Sequence, residues 1–216
     1  MPTYDWGIDS ARIATEELLT CVIDNFGHPK FWGRYLLTIP NISQGLTAQE
    51  IAFIRSNDIK ILPIYNRIFD AMTYSVGVAN AIDAISSAQR LGIPRDVPLF
   101  ADIEPFFSVD SEWVEGWTET ISSSGYRSGI YNSPLIGDFS NAFCEAAERN
   151  ETVRTFNILW SAQPVADPSG PENPPEYKPA SVECGGNVLA WQYSRDLAEC
   201  PIDTNLADST LTEMLW

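Results

Sequence analysis

Apolar and polar positions along the chain follow two alternating periods. Short apolar runs predict strands at TYDWGID (3–9), KFWGRYLL (30–37), IKILPIY (59–65), VPLFADIE (97–104), RSGIYN (127–132), TFNILWSA (155–162), NVLAWQYS (187–194) and CPIDTN (200–205). Segments of helical period lie between most of them. In LTAQEI, Thr47 is placed as an N-cap, Glu50 follows three residues later, and Leu46 can staple to Ile51. Over residues 77–92, Val78, Ile82, Ile85 and Leu91 share one helical face and Gly92 ends it. Helices are also predicted over 111–125 and 139–150. Eight strands alternating with helices predict an α/β fold, a (β/α)8 TIM-like barrel whose parallel sheet is covered on the outside. The alternation breaks at 163–186, a Pro- and Gly-rich stretch with no helical period. The crossover helix between the sixth and seventh strands is therefore expected to be replaced or short. The stretch is either a wall of a binding cleft or an inert replacement for a crossover helix.

Side chains alternate along a strand, so Leu99, Ala101 and Ile103 share one side of PLFADIEP while Phe100, Asp102 and Glu104 share the other. Carboxylates under the helix layer would be severely desolvated, so Asp102 and Glu104 are expected inside the barrel, at its C-terminal mouth. Asp9 closes the first strand, and Asp203 with Asn205 closes the last; each of these aspartates, taken alone, is equally well read as a helix cap. Arg34 with Tyr35, Tyr65 with Asn66, Tyr131 with Asn132, Trp160 with Gln163, and Trp191 with Gln192 and Tyr193 end other strands. The aromatics are either core filler or platforms for a ligand. A rim of acids, amides and aromatics suits a carbohydrate, because ring faces stack on sugars and a carboxyl pair can cleave a glycosidic bond. Crowding of like charges should raise at least one carboxyl pKa and keep an acid protonated.

Composition narrows the partners. The formal charge of −16 argues against nucleic acid or an anionic membrane, and no apolar run is long enough to span a bilayer. The single histidine, His28, makes a Ser-His-Asp or Cys-His hydrolase improbable. Cys21, Cys144, Cys184 and Cys200 show no metal spacing. Cys184 and Cys200 flank one predicted strand and would bridge in a secreted protein; buried thiols are the alternative. The N-terminus lacks the basic and apolar regions of a signal peptide, so the chain is either cytoplasmic or has lost a leader, and a secreted or cell-wall-associated location is favoured in the second case.

WGIDSA, GRYL, PLFADIEP, GIYNSP, LWSAQP, LAWQYS and IDTN occur in that order. This set resembles the glycoside-hydrolase-like barrel family, formerly of unknown function, that is related to glycoside hydrolase family 25, the lysozyme-type muramidases. The resemblance spans nearly the whole chain, implying a single barrel domain over 1–216 with irregular or missing helices in its last part. By motif position it implies Glu104 as general acid, Asp102 as the acid that assists the substrate or positions water, and Asp9 and Asp203 as further acids of the cleft. It implies hydrolysis of the β-1,4 bond between N-acetylmuramic acid and N-acetylglucosamine in peptidoglycan, with no metal or organic cofactor; a monomer is expected. Two other readings stand beside it: a glycan-binding barrel whose chemistry has lapsed, and a hydrolase of another amino-sugar polymer. The bulky Phe106-Phe107 pair after the acids is expected to narrow the cleft.

Overall fold

The computed structural model describes residues 3–195 and 197–216. Eight strands close a barrel in sequence order: β1 (Tyr4–Ser10), β2 (Phe31–Tyr35), β3 (Lys60–Tyr65), β4 (Pro98–Ile103), β5 (Arg127–Asn132), β6 (Asn157–Ala162), β7 (Asn187–Ser194) and β8 (Asp203–Asp208). Helices α1 (Glu16–Asn25), α2 (Ala48–Ser56), α3 (Tyr74–Leu91), α4 (Ser111–Ser123), α5 (Phe139–Arg149) and α6 (Glu151–Phe156) cover the outside, and α7 (Ser209–Met214) follows the last strand. Among the described residues no helix is long and apolar enough to cross a membrane.

One strand departs from the expected parallel sheet. β8 runs antiparallel to both β7 and β1, with Asp203 opposite Asp9 and Asp208 opposite Tyr4. Asp203 therefore opens its strand instead of closing it. The reversal follows from reach: residues 195–202 are too few for the crossover of a dozen or more residues that a parallel neighbour requires.

The helix caps follow local chemistry. Thr47 Oγ1 accepts a hydrogen bond from the Glu50 amide at 3.2 Å, and Leu46 and Ile51 join the same apolar cluster. The 77–92 pattern is right for Ile85 and Leu91, which pack against the core, but misses the centre of the buried face. Gly77, Ala81, Ala84 and Ala88 are buried, whereas Ile82 is 53% exposed. The reason is close packing of α3 on α4. A Cβ at Gly77 would strike the Trp113 carbonyl, and one at Gly116 would strike the Tyr74 carbonyl, so only small residues fit this interface.

The 163–186 stretch contains no helix and takes the place of one. Val182 is buried in the apolar layer outside the barrel, Tyr177 stacks on Tyr4 at 4.2 Å, and Tyr193 Oη donates to the Ser169 carbonyl at 2.6 Å. Cys184 bonds to Cys144 of α5, not to Cys200, and Cys200 bonds to Cys21 of α1. The expected Cys184–Cys200 bridge fails because the two flanks of β7 lie at opposite ends of the barrel. Each cysteine instead meets a helix beside it. The second bridge spans 179 residues, which by loop entropy constrains the unfolded chain by about 5 kcal/mol.

Candidate active site

Strand phase decides which side chains reach the mouth of the barrel. In β4, Leu99, Ala101 and Ile103 pack under the helices, while Phe100 fills the lumen against the edge of Trp160. Asp102 and then Glu104 lie above that aromatic floor, as the alternation of the strand requires. Asp9 on β1 and Asp203 on β8 face the same space. Gly33 makes the approach possible, since a Cβ there would lie 2.7 Å from Cβ of Asp9. Tyr35, Ile64, Tyr131, Trp160, Gln192 and Arg195 complete an open pit of about 170 Å³.

A directed hydrogen-bond network holds the two amides and two of the acids. Tyr131 Oη donates to Gln192 Oε1 at 2.9 Å, and Trp160 Nε1 donates to Asn205 Oδ1 at 2.9 Å. Both amides therefore present their NH2 groups to carboxylates. Asn205 Nδ2 donates to Asp9 Oδ2 at 2.7 Å. Gln192 Nε2 donates to Asp9 Oδ2 at 3.1 Å and to Asp203 Oδ2 at 3.2 Å.

The pit strongly favours neutral carboxyls. Burial, and then the charge of Glu104, push Asp102 up to about 8. Burial raises Asp9 well above the usual carboxylate range, and Asp203 adds to this; the bonds from Asn205 and Gln192 only partly offset it. Burial also raises Glu104, against the pull of the Arg195 guanidinium. Tyr35 and Tyr131 are raised by burial first and then by the surrounding acids, so both phenols stay protonated. Among the described residues no three His, Cys, Asp or Glu side chains are grouped to hold a metal ion.

The structure brings Asp9, Asp102, Glu104, Asp203, Tyr131, Trp160 and Gln192 into the pit, with Asn205 directly behind Asp9. The other rim candidates lie elsewhere. Arg34 is fully buried on the helix side, where its Nε donates to Glu50 Oε1 at 2.6 Å. Tyr65 points outward to Trp117, and its hydroxyl donates to Asp83 Oδ2 at 3.0 Å. Trp191 also faces outward and donates to the Gln163 carbonyl at 2.9 Å, while Gln163 Oε1 accepts from the Ala180 amide. Asn66 Nδ2 donates to the Leu37 carbonyl and Ser43 Oγ, and Asn132 is buried beside the Ile130 carbonyl. In β2, β3 and β7 the neighbouring residue of opposite phase (Tyr35, Ile64 or Gln192) is the one that lines the pit. Tyr35, which ends the second strand beside Arg34, is in the pit, and Arg195 was not among the predicted site residues. Phe106 and Phe107 do not narrow the pit: Phe106 is 77% exposed, and Phe107 packs edge-on beneath it.

Known proteins share this architecture. A crystal structure of an uncharacterized B. stearothermophilus protein is 47% identical over 98% of this chain and all of that one, with a TM-score of 0.96. The family GH25 lysozyme from Aspergillus fumigatus shares only the fold, at 11% identity over 98% of this chain and 99% of its own, with a TM-score of 0.56. The catalytic domain of endolysin Ply40 from bacteriophage P40 of Listeria monocytogenes is similar at the same level: 11% identity, 98% and 96% coverage, TM-score 0.57. No curated protein gives a significant sequence match. The family model for the Rv2525c-like, glycoside hydrolase-like domain matches residues 28–176, well over half of the sequence. The chain belongs to the Rv2525c-like glycoside hydrolase-like family.

Proposed function

We propose that residues 1–216 act as one muramidase-like glycoside hydrolase that cleaves the N-acetylmuramic acid to N-acetylglucosamine β-1,4 bond of peptidoglycan. The observation that carries this reading is the grouping of Asp102 and Glu104 in one open pit with Asp9 and Asp203. Glu104 stands nearest the mouth as the last residue of the acid pair and protonates the leaving oxygen, a step worth about 10²–10⁴-fold. Burial raises its pKa and favours the acid form this role needs. Asp102, deeper, assists by orienting the 2-acetamido group or a water as positive charge builds on the sugar. Asp9 and Asp203 shape the field, with their carboxyls fixed by Gln192 and Asn205. Tyr35, Tyr131 and Trp160 line the pit beside the acids.

The lysozyme and endolysin likenesses support a cell-wall glycan as substrate. Two disulfides fit work in an oxidising compartment outside the cytoplasm. The test is release of reducing ends from purified peptidoglycan by the wild type and by Glu104→Gln. At least a 100-fold loss is expected without a change in melting temperature, and equal release by both proteins would overturn the proposal.

A further inference from the structure

The acid pit borders a second hollow on its β1 and β8 side. That hollow, of about 370 Å³, shares Asp9 and Asp203 with the pit and runs over the ends of β1 and β8, between Arg12, Pro201 and Ile202. Two further hollows, of about 270 and 480 Å³, also have Arg12 in their walls. One is bordered by residues 38–44, the other by the start of α1. Arg12 thus lines three neighbouring depressions, and the innermost has Asp9 and Asp203 in its wall.

The backbone that carries Arg12 is fixed from below. The Gln44 amide donates to the Ala11 carbonyl at 2.9 Å, and Ser10 Oγ donates to the Arg12 carbonyl at 2.9 Å. Arg34 Nη1 donates to the Ser10 carbonyl, and the Ala14 amide donates to Glu50 Oε1 at 2.8 Å. The buried Arg34–Glu50 pair is therefore the footing of this segment. The Arg12 side chain, by contrast, is exposed and forms no ion pair or hydrogen bond with any described residue. In a chain with 29 acidic and 13 basic residues, a guanidinium on a fixed backbone among these hollows is left open for an outside anion.

We infer that the hollow beside the pit holds the glycan beyond the bond being cut and that Arg12 pairs with a carboxylate carried by that polymer. This rests on the glycan-cleaving reading above and adds the residue that would anchor the chain beyond the cut. A planar guanidinium fork matches a carboxylate with two parallel bonds, and Pro201 and Ile202 offer the sugar an apolar edge. Carboxyls that keep their protons in the pit lessen the repulsion such a polyanion would meet there. The carboxylate has two possible sources, the lactyl ether of the sugar and an attached peptide.

Binding by the Glu104→Gln variant, measured by calorimetry, tests this without turnover. The probes are peptide-stripped muramyl glycan chains, the same chains with peptides, and chitin oligomers that carry no carboxylate. Adding Arg12→Ala should weaken binding of the carboxylated chains about tenfold, with Arg12→Lys keeping most of it and chitin oligomers unchanged within about twofold. Loss on the stripped chains assigns the lactyl carboxylate, and loss on the peptide-bearing chains alone assigns the peptide. Equal binding with and without Arg12, an equal loss on chitin oligomers, or no binding of any chain would overturn the inference. If the wild type cleaves no glycan while the Arg12 dependence persists, the hydrolase reading falls and the role of Arg12 stands.

Discussion

Two clusters of charge sit on opposite sides of the barrel wall, only a strand's thickness apart. Outside it, Arg34 and Glu50 are both buried and paired with each other: Arg34 makes three donations, and Glu50 Oε1 also accepts the Ala14 amide, while Glu50 Oε2 is buried without a partner among the described residues. Inside it, Asp9, Asp102, Glu104 and Asp203 crowd together around a small pit with Arg195 at its edge. The first cluster matches each charge with its opposite and ties β2, α2 and the loop after β1 together. The second sets like charges against one another, and burial first, then mutual repulsion, raises the pKa of Asp9 and Asp102. Matched burial serves structure, whereas mismatched burial stores an acid that chemistry can use.

The largest stability effect should come from breaking the matched pair. Arg34→Ala leaves Glu50 buried without its cation and is expected to cost about 3–5 kcal/mol, read as a lower urea midpoint at unchanged slope. The double variant Arg34→Met, Glu50→Met should recover most of that loss. A double variant as unstable as Arg34→Ala would show that the loss comes from packing and not from an orphaned charge.

Removing a crowded acid should act in the opposite direction. With its folded pKa raised to about 8, Asp102 binds its proton more tightly in the folded than in the unfolded chain. Its contribution to stability is thus complete below about pH 4 and is lost as the pH rises through about 8. Asp102→Asn should raise the melting temperature by at least about 3 °C at pH 9, roughly 1 kcal/mol for a domain of this size, and leave it unchanged at pH 3.5. An equal shift at both pH values would refute the crowding account.

The subtlest effect concerns Arg195, which opposes the burial of Glu104. Arg195→Gln should raise the Glu104 pKa further, moving the alkaline limb of kcat/KM to higher pH while the acid form persists. An alkaline limb displaced to lower pH would assign that limb to another group.

The contrast also explains what the sequence could reveal. Asp102 and Glu104 were readable because β4 carries its charges on one phase only, and a charge cannot lie under helices without a partner. That logic misled for Arg34, because its partner Glu50 lies in a different element and the pairing exists only after α2 packs. Tyr65 and Trp191 failed for a related reason. Strands buried on both faces are apolar in both phases, so an aromatic at a strand end carries no mark of inside or outside. Two signals were available. Gly33 marks the lumen phase of β2, which places Tyr35 inward two residues later. The short 195–202 connection could also have revealed that β8 turns back. The cysteine pairing had no local signal, since four cysteines allow three pairings and Cys21 meets Cys200 only once the ring of strands has closed.

The reversal of β8 also decides which way the molecule can be held. The Thr3 carbonyl accepts from the Ser209 amide, and the Trp216 backbone exchanges hydrogen bonds with Ile61 near the start of β3. Leu211 and Leu215 join the lumen cluster and seal the base of the ring. Both ends of the described chain therefore emerge at the base, opposite the acids. A tether, tag or neighbouring module joined at either terminus would leave the face that carries the acids directed outward.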